Sequence, residues 1–231
     1  MRRKIILVIF SLFLFIPFRE KAHALESNNF DRGNKFYLKI GIGGGGINRN
    51  IPLKMWTTEG EEVKVGKGGP HFSFDVGYNV ISHIGIEAGL GILENTTNVT
   101  IENGDGYFKR YSFSITGIYH FLNRIYNQVQ FNLYGGLGIG YYVSPKLYRE
   151  GPSVETTVYY KNTSGPHILI GSSIIGKKWL GFIDLKYLFN VRYRFKNGVE
   201  NRIKFNVPLF EEWKEVNGSG ILFNIGLGYR F

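Results

Sequence analysis

Gln128–Val143 reads QVQFNLYGGLGIGYYV. Its odd positions are Val129, Phe131, Leu133, Gly135, Leu137, Ile139, Tyr141 and Val143; its even positions are Gln128, Gln130, Asn132, Tyr134, Gly136, Gly138, Gly140 and Tyr142. Side chains of a strand point alternately to its two faces, so this stretch predicts a strand with one greasy face and one polar or small face. It also outruns the strand of about 5 to 6 residues usual in soluble sheets and reaches the roughly 9 to 11 that a tilted membrane strand needs.

The pattern recurs. Trp179–Arg194 sets Trp179, Gly181, Ile183, Leu185, Tyr187, Phe189, Val191 and Tyr193 against Asp184, Lys186, Asn190, Arg192 and Arg194. Gly220–Phe231 sets Ile221, Phe223, Ile225, Leu227, Tyr229 and Phe231 against Leu222, Asn224, Gly226, Gly228 and Arg230. Lys35–Gly46, His71–Val80, His83–Leu93, Phe108–Phe121 and, less cleanly, His167–Ile175 alternate in the same way, which gives eight strands.

The connections alternate in length. Ile47–Pro70, Glu94–Gly106, Ser144–Pro166 and Phe195–Asn217 are long; Ile81–Ser82, Leu122–Asn127 and Gly176–Lys178 are short. Long extracellular loops and short periplasmic turns are the signature of outer-membrane barrels, with both termini at the periplasmic end. No stretch after Ala24 has the length of a transmembrane helix, so a membrane-spanning form must be a closed barrel, because open sheet edges are not tolerated in lipid. A soluble sandwich also alternates, but it buries the apolar face and exposes the polar one. Tyr107, Tyr111, Tyr119, Phe121, Tyr141, Trp179, Tyr193, Tyr229 and Phe231 fall near strand ends, where amphipathic rings favour the headgroup level.

Met1–Ala24 opens with Arg2, Arg3 and Lys4, continues with an apolar stretch from Ile5 to Phe18 and closes on Ala22-His23-Ala24. That is the pattern of a cleaved secretory leader. Its apolar stretch, broken by Ser11 and Pro17, is short for a spanning helix. The expected mature chain, 25–231, is a single barrel domain with 23 basic residues against 17 acidic ones, once the leader's five and one are removed. That surplus suits contact with anionic lipid headgroups or a solvated surface, and nothing calls for nucleic acid. The absence of cysteine excludes disulfides and thiolate metal sites.

These features resemble the small eight-stranded outer-membrane barrels of the OmpA/OmpX-like family, over essentially the whole mature chain. The ending Tyr229-Arg230-Phe231 is similar to the terminal-aromatic signal read by the barrel-assembly machinery during biogenesis. The resemblance implies an all-β, up-and-down transmembrane barrel in the bacterial outer membrane, in contact with its lipids and lipopolysaccharide. It is nearly silent on activity, since this fold hosts adhesins, lipid enzymes and structural proteins alike.

Eight strands leave a lumen that side chains can fill, so a charged plug is expected rather than an open pore. The inward positions carry Lys39, Asp75, Glu87, Arg110, Asp184, Lys186, Arg192, Arg194 and Arg230, and buried charges of both signs must pair or stay wetted. A narrow ion path is the functional alternative. A second alternative is enzymatic: His71-Phe72-Ser73 is similar to the His-x-Ser pair of lipid A deacylases, with Asp75 and Glu87 as candidate acids. Strand parity, however, turns His71 and Ser73 inward, away from lipid. A triad requires the base bonded to the nucleophile and oriented by a carboxylate.

No cofactor or metal is expected. The glycines of 41–46 and 135–140 are followed by no Gly-Lys-Ser/Thr, and the five histidines lack ligand spacing. The glycines read as places where a curved sheet has no room for a side chain. The loops are the place for specific binding: Ile47–Pro70 mixes Arg49, Lys54, Lys64 and Lys67 with Glu59, Glu61 and Glu62, and Phe195–Asn217 joins Lys196, Arg202, Lys204 and Lys214 to Phe205, Leu209, Phe210 and Trp213. The bland reading is that they are solvated and unselected. Taking Arg194 opposite Gly220 aligns Asp184 with Arg230 and predicts a salt bridge between them.

Overall fold

The computed structural model describes residues 35–66, 68–99, 104–126, 129–151, 154–196 and 210–231. The leader read over Met1–Ala24 lies outside the described residues. Among the described residues thirteen strands run in order: β1 (Phe36–Ile47), β2 (Ile51–Trp56), β3 (Glu62–Val65), β4 (Pro70–Ile81), β5 (Ile84–Thr96), β6 (Asp105–Tyr126), β7 (Val129–Gly151), β8 (Val154–Tyr159), β9 (Thr163–Ile175), β10 (Trp179–Leu188), β11 (Arg192–Arg194), β12 (Glu215–Asn217) and β13 (Gly220–Arg230). A 3-10 turn, η1, spans Glu211–Trp213.

Eight of them close a cylinder. The hydrogen-bonded order is β6-β5-β4-β1-β13-β10-β9-β7, and β6 pairs with β7 to complete the ring. All these pairings are antiparallel. Closure leaves no edge whose backbone amides would face lipid unpaired.

Burial is inside out relative to a soluble sandwich. Ile40, Phe74, Leu90, Ile115, Leu137, Ile139, Ile170, Ile183, Ile225 and Leu227 are exposed on the outer wall, whereas Lys39, Asp75, Glu87, Asn132, Asp184 and Asn224 are buried. A soluble monomer rarely exposes a continuous apolar surface of this extent. Phe36, Tyr119, Tyr126, Trp179 and Phe231 ring the short-turn end and are also exposed. Trp179 packs edge-on against Tyr229 (5.3 Å), and Tyr229 against Phe231 (5.1 Å). The outer wall is therefore that of a transmembrane barrel of the outer-membrane type, an apolar band bordered by aromatic girdles.

The glycines do what crowding requires. A Cβ on Gly43 would lie 1.8 Å from the carbonyl oxygen of Phe223, so β1 and β13 approach as closely as they do because no side chain stands there.

Three expectations are corrected. First, β6 and β7 run 22 and 23 residues, so the turn expected over Leu122–Asn127 is mostly strand and both strands continue past the membrane band. Second, β10 ends at Leu188, and Leu188 rather than Arg194 faces Gly220. The cause is Asn190, whose φ of 49° is left-handed and breaks the strand. Asp184 therefore faces Asn224, and Arg230 lies six residues further along β13, roughly 20 Å away, so the expected Asp184–Arg230 salt bridge does not form. Third, Tyr193 is fully buried instead of standing in a girdle.

Nor are the loops merely solvated. Ile51, Leu53, Val63 and Val65 from the β2–β3 hairpin, Leu93 and Phe108, Tyr142 and Leu147, Val158 and Tyr160, Leu188, Val191 and Tyr193, Trp213, Val216 and Leu222 form one buried cluster at the long-loop end. The alternation Ile51/Leu53 and Val63/Val65 places these residues on one face of the hairpin.

Placing arginine at Leu137 or Ile225, both exposed on the outer wall, is expected to lower unfolding free energy in lipid by about 2 to 4 kcal/mol, while Glu59→Arg in the first loop leaves it unchanged. Urea titration in liposomes checks this, and equal tolerance at both kinds of site would contradict a lipid-facing wall.

Candidate functional site

Two regions concentrate polar chemistry: the lumen and the folded loops above it. The lumen is built by parity, since every second residue of each strand must point inward. At its centre, Lys39 Nζ donates to Glu87 Oε2 at 2.8 Å and to Asp184 Oδ2 at 2.8 Å. The Tyr134 hydroxyl donates to Asp184 Oδ1 (2.6 Å) and the Tyr37 hydroxyl to Glu87 Oε2 (3.3 Å). The ammonium also sits 4.5 Å from the Phe182 ring centroid. Asp75 on β4 lies directly across the ladder from Lys39. One lysine is thus held by two carboxylates from strands on opposite sides of β1, and each carboxylate takes a further tyrosine hydroxyl.

Below this triad, Tyr37, Ile175, Leu180 and Phe182 pack together. At the short-turn end Arg230 Nη1 donates to Gln130 Oε1 (3.2 Å), and the Gln130 amide donates to Asn123 Oδ1 (2.9 Å) and Asn132 Oδ1 (3.1 Å). Above the triad, His71 Nδ1–H donates to Asn224 Oδ1 at 2.6 Å, and His167 Nε2 is hydrogen-bonded to Thr116 Oγ1 at 2.9 Å. Lys186, half-buried, lies within electrostatic reach of His71, Asp75 and His167. Arg110 is fully buried, its guanidinium carbon 5.6 Å, 5.8 Å and 5.6 Å from the ring centroids of Phe108, Tyr142 and Tyr193.

Seven of the nine predicted interior charges therefore point inward: Lys39, Asp75, Glu87, Arg110, Asp184, Lys186 and Arg230. Arg192 and Arg194 do not. Asn190 reverses strand parity, so Val191 and Tyr193 turn inward and both arginines turn out, where their side chains are 62% and 74% exposed and approach Glu215 at 3.7 and 3.6 Å. Ser144, with a φ of 49°, does the same on β7: Tyr142 is buried before it, Leu147 and Arg149 after it.

The His71/Ser73 pair does not meet the demands of a hydrolytic centre. His71 Nδ1 is committed to Asn224, and the buried Ser73 Oγ makes no hydrogen bond. No group of three or more metal-ligating side chains occurs among the described residues.

The folded loops were the part that sequence reasoning missed. The Trp213 indole N–H donates to the Pro52 carbonyl at 2.7 Å, tying the last loop to the first. Arg149 Nη1 donates to the Leu53 carbonyl at 2.7 Å, and its guanidinium stacks 5.0 Å from the Trp213 ring and 5.8 Å from the Phe210 ring. Lys54 Nζ meets Glu212 Oε1 at 2.8 Å, and that hydrogen bond holds the Glu212 carboxyl below its ordinary pKa. Phe205 and Leu209 lie outside the described residues.

No protein-family model matches this sequence, and no curated protein matches it. Among solved structures the chain is similar to the surface protein NspA of Neisseria, at 13% identity over 85% of this chain and 97% of that one, with a TM-score of 0.48. It is similar to Ail, the attachment invasion locus protein of Yersinia pestis, solved with the heparin analogue sucrose octasulfate, at 17% identity over 85% and 99%, with a TM-score of 0.42. A major outer-membrane protein of Thermus thermophilus is similar at 11% identity over 86% and 100%, with a TM-score of 0.44.

Removing one member of the central triad leaves two buried carboxylates without their cation. Lys39→Met is expected to destabilise the barrel by about 3 to 5 kcal/mol, whereas Lys39→Met combined with Glu87→Gln and Asp184→Asn recovers most of the loss, because neither of the two carboxylates that Lys39 bridges is then left charged. Denaturant titration of both variants in detergent distinguishes these outcomes.

Proposed function

We propose that this chain is a non-enzymatic outer-membrane barrel that acts through the shape of its extracellular surface and is closed to solute flow. The observation that carries this reading is the buried cluster at the long-loop end, which draws residues from three of the four long connections, with Val99 of the fourth packed against it, and sits over a lumen already crossed by the Lys39–Glu87–Asp184 contacts. Bulky rings and paired charges in series leave a hydrated ion no continuous path. The loops, tied by Trp213 and Arg149, present a fixed surface to whatever they meet, which suits recognition without a folding penalty at the moment of binding.

Lipopolysaccharide and the other outer-membrane lipids are the surrounding partners in this reading, and Tyr229 and Phe231 carry the assembly signal. A leader of the kind read over Met1–Ala24 accounts for export. The deacylase reading lacks support from geometry, since the hydroxyl and imidazole it needs are turned into the lumen and not joined.

Two measurements test the proposal. In planar bilayers the purified protein is expected to give no steady conductance steps, and reproducible wild-type channels would overturn the closed reading. Incubated with lipid A, it is expected to release no acyl chains; release that disappears in Ser73→Ala would establish the enzyme instead.

A further inference from the structure

The segment joining β8 to β9 and the segment leaving β10 enclose a cleft of about 270 Å³, lined by Lys161, Asn162, Thr163, Asn190, Arg192 and Arg194. The Lys161 amide donates to the Arg194 carbonyl at 2.8 Å, so these two cationic side chains spring from hydrogen-bonded backbone. Among the described residues a single carboxylate stands beside the cations: Glu215, at 3.7 Å from Arg192 Nη1 and 3.6 Å from Arg194 Nε. Lys161, Arg192 and Arg194 against that one anion leave a net positive cleft, furnished besides with two amides and a hydroxyl.

Its height on the barrel decides what it meets. The outer wall of β7 rises through Leu137, Ile139 and Tyr141, all exposed, and that of β10 through Ile183 and Leu185 to Tyr187, whose ring packs 4.5 Å from Phe189. Tyr141 faces Ser164 across the β7–β9 ladder, and its hydroxyl accepts a hydrogen bond from Asn162 Nδ2 at 3.2 Å. Tyrosine rings at the top of an apolar column mark the headgroup boundary. Lys161 stands three residues beyond Ser164, roughly 10 Å along the strand, where headgroups extend beyond the hydrocarbon. The cleft opens on the side wall at that depth.

We propose that this cleft binds lipid-borne phosphate, the phosphorylated headgroups of the outer-leaflet lipid that surrounds the barrel. Guanidinium forks match phosphate oxygens in pairs, and amide and hydroxyl donors complete the set. The inference rests on the reading that the long-loop end faces outward in an outer membrane, and it goes beyond that reading by assigning the lipid contact to named residues on one side of the barrel.

The test uses the purified protein in neutral detergent micelles, titrated with bis-phosphorylated lipid A. Replacing Lys161, Arg192 and Arg194 together by Gln is expected to weaken binding roughly 100-fold, at the per-charge cost of leaving an anionic surface. Removing the phosphates from lipid A is expected to weaken wild-type binding to a similar degree, and Glu215→Gln to tighten it several-fold. Retained heat-modifiable gel migration certifies that each variant is folded. Equal binding by the folded triple variant, or displacement of lipid A by millimolar inorganic phosphate, would overturn the proposal. Failure of the membrane reading shows separately, as wild-type protein that does not insert into phosphatidylcholine vesicles.

Discussion

Lipid offers no hydrogen-bond partner to a peptide group, and the rest of this structure follows from that constraint. A sheet can satisfy it only by closing, which here means that β6 and β7, the two longest strands, must pair with each other as well as with their other neighbours. Closure at eight strands then fixes a lumen narrow enough that inward side chains meet across it, and it brings some backbones so near that Gly43 has no room for a Cβ. The alternation of greasy and polar residues is the linear trace of this cylinder.

Because the outward positions must be apolar, all the polarity of the strands is forced inward, and the interior must resolve it. Desolvation of Lys39, Glu87 and Asp184 is costly, so their contacts are weak grounds for stability in themselves. What they supply is mutual dependence: each carboxylate is engaged by Lys39 and by a tyrosine hydroxyl, so a strand slipped by two residues would strand a charge from β1, β5 or β10. The polar lumen thus specifies register where the outer wall, being uniformly greasy, specifies little.

The barrel was legible in the sequence because its signal has a strict period of two, repeated in eight segments. What was illegible came from residues that interrupt the period. Asn190 and Ser144, both left-handed, reverse parity on β10's continuation and on β7, and alternation carried blindly through Asn190 placed Arg192 and Arg194 in the lumen and Tyr193 outside. The same break misplaced the β10–β13 register, since it lengthened β10 by six residues and set Asp184 against the wrong partner. The loop cluster left a fainter trace: Ile51/Leu53 and Val63/Val65 alternate over only a few residues, and their partners Val158, Tyr193 and Trp213 are far away in sequence. The central triad was half legible, for the residues were identified as inward but their pairing depends on registers across three strands.

The two parity reversals lie at one level, where the membrane wall gives way to the folded loops. Below that level a strand must show apolar residues outward; above it, apolar residues must turn inward to form a core in contact with water outside. A chain that continues from one regime to the other must either change its sequence pattern or rotate its backbone, and β7 and the β10–β11 segment rotate. Rotation at Asn190 buries Val191 and Tyr193 under the loops, and by the same movement it presents Arg192 and Arg194 to the side wall beside Lys161. The burial of Val191 and Tyr193 in the loop core and the cationic cleft are therefore two consequences of one left-handed asparagine. A substitution at Asn190 that restored regular strand geometry would disturb both together, because neither side of the strand can be repositioned without the other.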